Sequence, residues 1–244
     1  MDGEQRIMKI IVCIRSYNES KNIEKCCEAY PFADRLLLAD GGSTDDTISK
    51  ASKYYPHVNV REYRTQVELK GGIRRNPDGA HINFLLDWAD EEGADWVIEQ
   101  DCDQRPNKYL KDDARKIFEK SEKDFIQVTQ LYLWGKDQYF PELSGYPNWM
   151  QGLWAWRAST HLRVIDKMPH FEFTLDGQNS LDINKTGREE NILPPYCFLH
   201  YGWQTETQVN DHMIYYRTSG LIPGMLHPKQ FGGRLAPLPE WANE

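Results

Sequence analysis

Ala94-Asp95-Trp96-Val97-Ile98-Glu99-Gln100-Asp101-Cys102-Asp103 passes from an apolar strand pattern into a pair of carboxylates. The apolar residues 96–98 mark a buried strand, so Asp101 and Asp103 project where that strand reaches the surface. Residues two apart on a regular strand share a face, and a strand-end pair of acids can hold a hard divalent cation. In a chain that is 27% charged, such a pair alone carries little weight. It gains weight from a second acidic turn, Ala39-Asp40-Gly41-Gly42-Ser43-Thr44-Asp45-Asp46-Thr47, which ends an earlier apolar strand.

Working outward, strand and helix patterns alternate through the first half. Residues 7–14 form a continuous apolar run with one lysine, the pattern of a strand covered on both faces. A helix follows from Ser20, then a short strand over 35–39. Ser43 or Thr44 is placed to cap the next helix, with Asp45 and Asp46 in its first turn. A strand is expected over 58–63, a polar mobile loop over 64–77, a helix near 80–88 and a strand over 96–99. A helix over 109–118 and a long strand over 124–134 complete the regular part. Such β-α-β succession predicts a mostly parallel, doubly wound sheet, whose ligands bind beyond the carboxyl ends of the strands. After Trp134 the pattern breaks. A strand over 196–201 and a helix over 206–217 are expected, and 221–244 reads as an extended tail.

The 244 residues suffice for a substantial core. A content of 40% hydrophobic and 12% aromatic residues is that of a folded globular chain. The net charge of −8 argues against broad binding to nucleic acid or anionic lipid, although Lys70, Arg74 and Arg75 make a local basic strip. No segment approaches the roughly 20 apolar residues of a membrane helix, and no signal peptide is visible. Five cysteines show no paired spacing for zinc. The expectation is a cytoplasmic protein with reduced thiols and no membrane span.

Ile11-Val12-Cys13-Ile14-Arg15-Ser16-Tyr17-Asn18-Glu19 resembles the first strand and Y-N-E turn of family 2 glycosyltransferases, which have the GT-A fold. Residues 39–47 are similar to that family's D-G-G-S-T-D turn, and Asp101-Cys102-Asp103 to its D-x-D, in the family's order and spacing. The resemblance covers residues 7–105 well and the remainder loosely. It implies an α/β fold: a GT-A type doubly wound sheet flanked by helices, with an irregular C-terminal acceptor region. Residues 1–105 would be the nucleotide-sugar-binding half of one domain, 106–220 the acceptor half and 221–244 the tail.

The resemblance also implies roles. The donor would be a nucleoside-diphosphate sugar, UDP-linked, and the acceptor a saccharide or other hydroxyl compound. Asp40 would accept a hydrogen bond from the uracil ring; the alternative is a turn aspartate bonding its own backbone. Ser16, Tyr17 and Glu19 would border the nucleotide, Glu19 being equally readable as a first-turn helix acid. Asp103 would coordinate Mg²⁺ or Mn²⁺, and Asp101 would contact the ribose or the metal's water shell. Cys197-Phe198-Leu199-His200-Tyr201-Gly202-Trp203 resembles the family's H-Y-G-Y/W segment, where the His approaches the metal or diphosphate. A lysine often follows in the family. None lies between 208 and 213 here, so Arg217, Lys229 or Arg234, or Arg74 and Arg75, would supply the cationic help.

Most family members invert the anomeric centre and need a carboxylate to take the acceptor's proton. Pro169-His170-Phe171-Glu172 departs from the family's H-E or E-D pattern, which makes Glu172 the first candidate base and Asp176 the second. Glu189 and Glu190 read as a solvated pair. Trp149 or Trp154 would stack on an acceptor sugar, although core packing explains tryptophans more often. Two other classes compete. A nucleotidyltransferase needs a basic, glycine-rich signature that residues 11–19 lack. A nucleotide-sugar- or glycan-binding pseudoenzyme would keep the acids without the chemistry.

Overall fold

The computed structural model describes residues 7–64, 67–68, 74–75, 78–141, 151–167, 170–202, 204–210 and 235–242. The first half runs β1 Ile10–Ser16, α1 Ile23–Glu28, β2 Arg35–Asp40, α2 Thr47–Ala51 and β3 Val58–Glu62. It continues with β4 Val67–Glu68, β5 Arg74–Arg75, α3 Asp78–Glu91, β6 Trp96–Asp101 and β7 Gln104–Pro106. The second half holds α4 Lys108–Lys120, β8 Phe125–Trp134, β9 Gln138–Tyr139 and β10 Gln151–Arg157. The remaining strands are β11 Arg163–Lys167, β12 His170–Thr174, β13 Glu189–His200 and β14 Ala236–Pro237.

One large sheet has the order β14-β9-β8-β10-β6-β1-β2-β3, with β13 pairing both β8 and β7. The stretch β6-β1-β2-β3 is parallel. Antiparallel β10 then enters between β6 and β8, and β13 runs parallel to β8. This is the α/β architecture the strand-helix alternation predicts. The short hairpins β4-β5 and β11-β12 stand apart from the sheet. The polar segment 64–77 contributes Arg64 and the four residues of that first hairpin to the described structure.

The continuous apolar run of β1 is explained by its two covered faces. Ile10, Val12 and Ile14 pack into a core shared with Cys26, Phe118 and Trp154. Ile11 and Cys13 face the opposite core with Leu85, Trp88 and Trp156. All five cysteines are free and buried. Asn107 shows how the second half is tied together. Its carbonyl accepts from Leu110 N and caps α4, while its amide donates to Pro195 O at 2.7 Å and Trp241 O at 2.9 Å. Among the described residues no helix is long and apolar enough to cross a membrane.

Four expectations change. The second helix begins at Thr47 rather than beside Ser43 or Thr44; its N-cap residue Asp46 makes no capping bond, and Asp45 Oδ1 accepts from Thr47 N instead. Over 235–242 the tail is not a loose extension: Ala236–Pro237 pairs with β9, and Ala242 is fully buried. Glu189 and Glu190 are half-buried within β13, where Thr186 and Ser121 donate to them, rather than a solvated pair. Trp154 is also fully buried, stacked on Phe118 at 5.0 Å with Phe32 at its edge, so it cannot offer a face to a sugar. Its environment is apolar on every side because antiparallel β10 lies inside the sheet, between β6 and β8.

Trp154→Ala should cost about 3–5 kcal/mol of stability, the range for truncating a buried aromatic. Chemical denaturation would read this directly, and a loss below about 1 kcal/mol would contradict the packing described.

Candidate functional site

Parallel pairing sets the site. In register, Ser16 lies beside Asp40 and Arg15 beside Asp101. The ends of β1, β2 and β6 therefore carry their polar residues to one edge, beyond the apolar core.

At the β2 end, Asp40 is fully buried and holds its own turn. Oδ1 accepts from Gly42 N at 2.9 Å and Ser43 N at 2.7 Å; Oδ2 accepts from the hydroxyls of Ser16 at 2.9 Å and Ser43 at 2.6 Å. A carboxylate has about four acceptor positions, and all are engaged. Gly42 has φ of +95°, a conformation costly for any residue with a Cβ. The turn after β1 is zipped to it: Asn18 N donates to Ser43 Oγ, Thr44 N donates to Asn18 Oδ1, and Glu19 N donates to Thr47 Oγ1. Tyr17 is left 49% exposed at the rim.

His81 braces the same strand end from α3. It is buried, 2.9 Å from Ala39 O and stacked against Tyr63. Burial, aided by the Arg15 charge, lowers its pKa to about 4, so the ring is neutral and Nε2–H donates to the carbonyl.

The acids separate at the β6 end. The strand stops at Asp101, Cys102 turns into the core, and Asp103 stands in the following turn. Arg15 binds Asp101 Oδ1 at 2.6 Å, Glu99 Oε1 at 3.0 Å and Asp78 Oδ1 at 3.1 Å. Asp103 instead meets His200. Antiparallel pairing of β7 with β13 places His200 beside Gln104, with Nε2 at 3.4 Å from Asp103 Oδ2. Tyr201 N donates to Asp103 O at 2.7 Å. Burial alone would lower the His200 pKa, but the Asp103 and Asp101 carboxylates outweigh it and hold it above the usual value. Glu19, hydrogen-bonded by Asn22, is near enough to both acids that burial and their charge raise it to about 7.

Gly202 completes this corner. A Cβ there would collide with Asp103 Oδ2 and lie 3.3 Å from His200 Nε2, so any larger residue would push the Asp103 carboxylate from its place. Among the described residues no three His, Cys, Asp or Glu side chains form a metal-holding group. Asp103 and His200 give this corner one carboxylate and one imidazole, a donor set that would suit a Mg²⁺- or Mn²⁺-like ion completed by phosphate oxygens and water. It does not fit a closed protein cage.

Two candidates stand elsewhere. Glu172 accepts from Ser180 Oγ, and strand alternation sets it on the opposite face from Phe171, whose ring lies 5.7 Å from the Arg15 guanidinium. Asp176 is exposed and spent on its own turn. Backbone and side-chain bonds from Asn179, with further ones from Gln178 and Thr174, hold its pKa well below the carboxylate range. Neither has a described contact with the acids of the β6 edge. Lys70, Trp149, Arg217, Lys229 and Arg234 lie outside the described residues, as do the side chains of Arg74 and Arg75, which form the backbone of β5. Sequence reasoning passed over Arg15, Glu99, His81 and Gly202. Arg15 had a signal, being a charge that directly follows an apolar strand run, because buried charges require partners.

No family model matches the chain. Uncharacterized proteins of Mycobacterium bovis and Mycobacterium tuberculosis are 25% identical over 208 residues, covering 81% of the chain. The chain spans about half the length of these relatives, 47%. Among solved structures, S. aureus TarS 1-349 in complex with UDP superposes with a TM-score of 0.51 at 16% identity, over 91% of this chain and 68% of that one. A mycobacterial protein superposes with a TM-score of 0.50 at 14% identity, over 88% and 76%. The fold is thus that of the GT-A family 2 glycosyltransferases, TarS among them.

A neutral buried His81 carries a pH signature. Its folded pKa, about 4, lies below the ordinary 6.5, so the unfolded chain binds the extra proton first. Stability is intact above pH 6.5 and is lost as pH falls towards 4, by roughly 3 kcal/mol from this group. Denaturation curves across that window should be flatter for His81→Gln than for the wild type; parallel curves would contradict a neutral His81.

Proposed function

We propose that the chain is a metal-dependent glycosyltransferase of the family 2 type. It would move a sugar from a UDP-linked donor to an acceptor hydroxyl with inversion. The observation that carries this reading is the joint placement, at one edge of a GT-A sheet, of the Ser16–Asp40 turn and the Asp101 and Asp103 carboxylates. UDP is what TarS holds on the same fold. Ligands of open α/β sheets bind at this end of the strands.

Asp40 receives the uracil ring, and to accept from it must release one of its four partners; the Ser16 hydroxyl, which can turn to another acceptor, is the cheapest to release. Tyr17 offers its exposed ring to the nucleotide. Asp101 orients the ribose. Asp103 and His200 hold Mg²⁺ or Mn²⁺ in the corner that Gly202 keeps open. When bound, the ion neutralises the departing diphosphate. Glu19, held by Asn22, borders the diphosphate. Arg74 and Arg75, on the hairpin before α3, would supply the cationic help. Glu172 is the better base, since Asp176 is a weakened acceptor committed to its turn. The acceptor would be a saccharide or other hydroxyl compound, and the five free thiols favour the cytoplasm as its compartment.

Ser180 donates to Glu172, and Phe171 rather than Glu172 lies against Arg15; this favours one competing reading, a nucleotide-sugar-binding protein without turnover. Hydrolysis of UDP-sugars in the presence of Mn²⁺ separates the two. Asp103→Ala should lower metal-dependent turnover by about 100-fold or more, with a melting temperature close to the wild type; full activity would sink the assignment. Gly202→Ala should weaken metal-dependent UDP binding about tenfold by crowding Asp103. A thermal-shift panel of nucleoside diphosphates and their sugars with Mn²⁺ should show stabilisation selective for uridine. The response grows as ln(1 + [L]/Kd), and no response to UDP would remove the nucleotide reading.

A further inference from the structure

Every residue of β1 before Arg15 is a buried apolar one, yet Arg15 itself is only 15% exposed at the side chain. The geometry points to Arg15 as a positioning residue that fixes Asp101 for the donor, an inference that rests on the function proposed above.

Each guanidinium nitrogen has its own carboxylate. Nη2 meets Asp101 Oδ1 at 2.6 Å, Nε meets Glu99 Oε1 at 3.0 Å, and Nη1 meets Asp78 Oδ1 at 3.1 Å. Two of these partners are anchors on different elements. Glu99 is in β6 with a side chain 10% exposed, and Asp78 opens α3 with one 22% exposed. The Phe171 ring closes over the guanidinium at 5.7 Å. A planar fork pinned at two points has no freedom left at the third, so the Asp101 carboxylate takes the position the fork dictates. Asp101 is the most open of the three partners, at 41%. With Oδ1 engaged, it presents Oδ2 to the edge. A bare aspartate at a strand end would sample its rotamers, and the ordering cost would fall on ligand binding.

Lysine cannot reproduce this, because a single ammonium has no fork to hold three carboxylates apart. The test is a double-mutant cycle on the full chain, with Arg15→Lys, Asp101→Asn and the pair, reading Mn²⁺·UDP affinity by calorimetry. If Arg15 acts through Asp101, Arg15→Lys weakens binding about tenfold in the wild-type background and by less than about twofold in the Asp101→Asn background. Losses that multiply would show that Arg15 acts independently of Asp101 and overturn the assignment, as would wild-type affinity in Arg15→Lys. If Arg15→Lys gives no cooperative melt, Arg15→Gln takes its place in the cycle. Failure of both to fold would make Arg15 a folding requirement and overturn the positioning role. Absence of Mn²⁺·UDP binding in the wild type itself refutes the nucleotide reading first, and is visible without any variant.

Discussion

The structure depends on one constraint, the parallel register of β1 between β2 and β6. A slip of one residue would turn every side chain of β1 to the other face. Ile10, Val12 and Ile14 would exchange cores with Ile11 and Cys13, and Arg15 would lose Asp101 for the opposite, apolar side. The apolar residues thus choose the register, and the polar residues at the strand ends inherit their partners from it. Ser16 beside Asp40 and Arg15 beside Asp101 are consequences of packing several residues away.

The parallel half was legible because its signals are local. A two-faced apolar run, a glycine-rich acidic turn and an acid pair after a third strand each occupy a few consecutive residues, and the sheet places them together. The resemblance assigned Asp101 and Asp103 different roles, but the contacts that separate them were not legible. They depend on β13 returning antiparallel to β7 and bringing His200 and Gly202 from about a hundred residues away. The three partners of Arg15 likewise come from β6 and α3, so only the charge in an apolar run hinted at them. Trp154 shows the reverse failure. Its strand lies inside the sheet rather than at the rim, and no local pattern distinguishes these two positions. Asp176 reads as a free acid in the sequence, but the turn formed with Thr174, Gln178 and Asn179 absorbs it.

The two ends of the acid pair rest on supports of different kinds. Asp101 is held by an ion pair with the half-buried Arg15, whose one guanidinium also fixes Glu99 and Asp78. Asp103 is held by backbone: Tyr201 N binds its carbonyl, and Gly202 clears the space its carboxylate fills. Rigidity on one side and room on the other suit a site that must orient one part of a ligand and accommodate the ion bound to another.

The burial of all five thiols gives the chain a built-in reporter. A hydrogen bond with Cys26 together with burial pushes the Cys102 thiol well above its ordinary pKa, and its Sγ also donates to Arg15 O at 3.3 Å. A thiolate-directed reagent meets an inert native surface, and alkylation waits on local opening. The rate at which Cys102 is labelled then measures how often the turn between the two acids comes apart, at the position where a ligand would hold it shut.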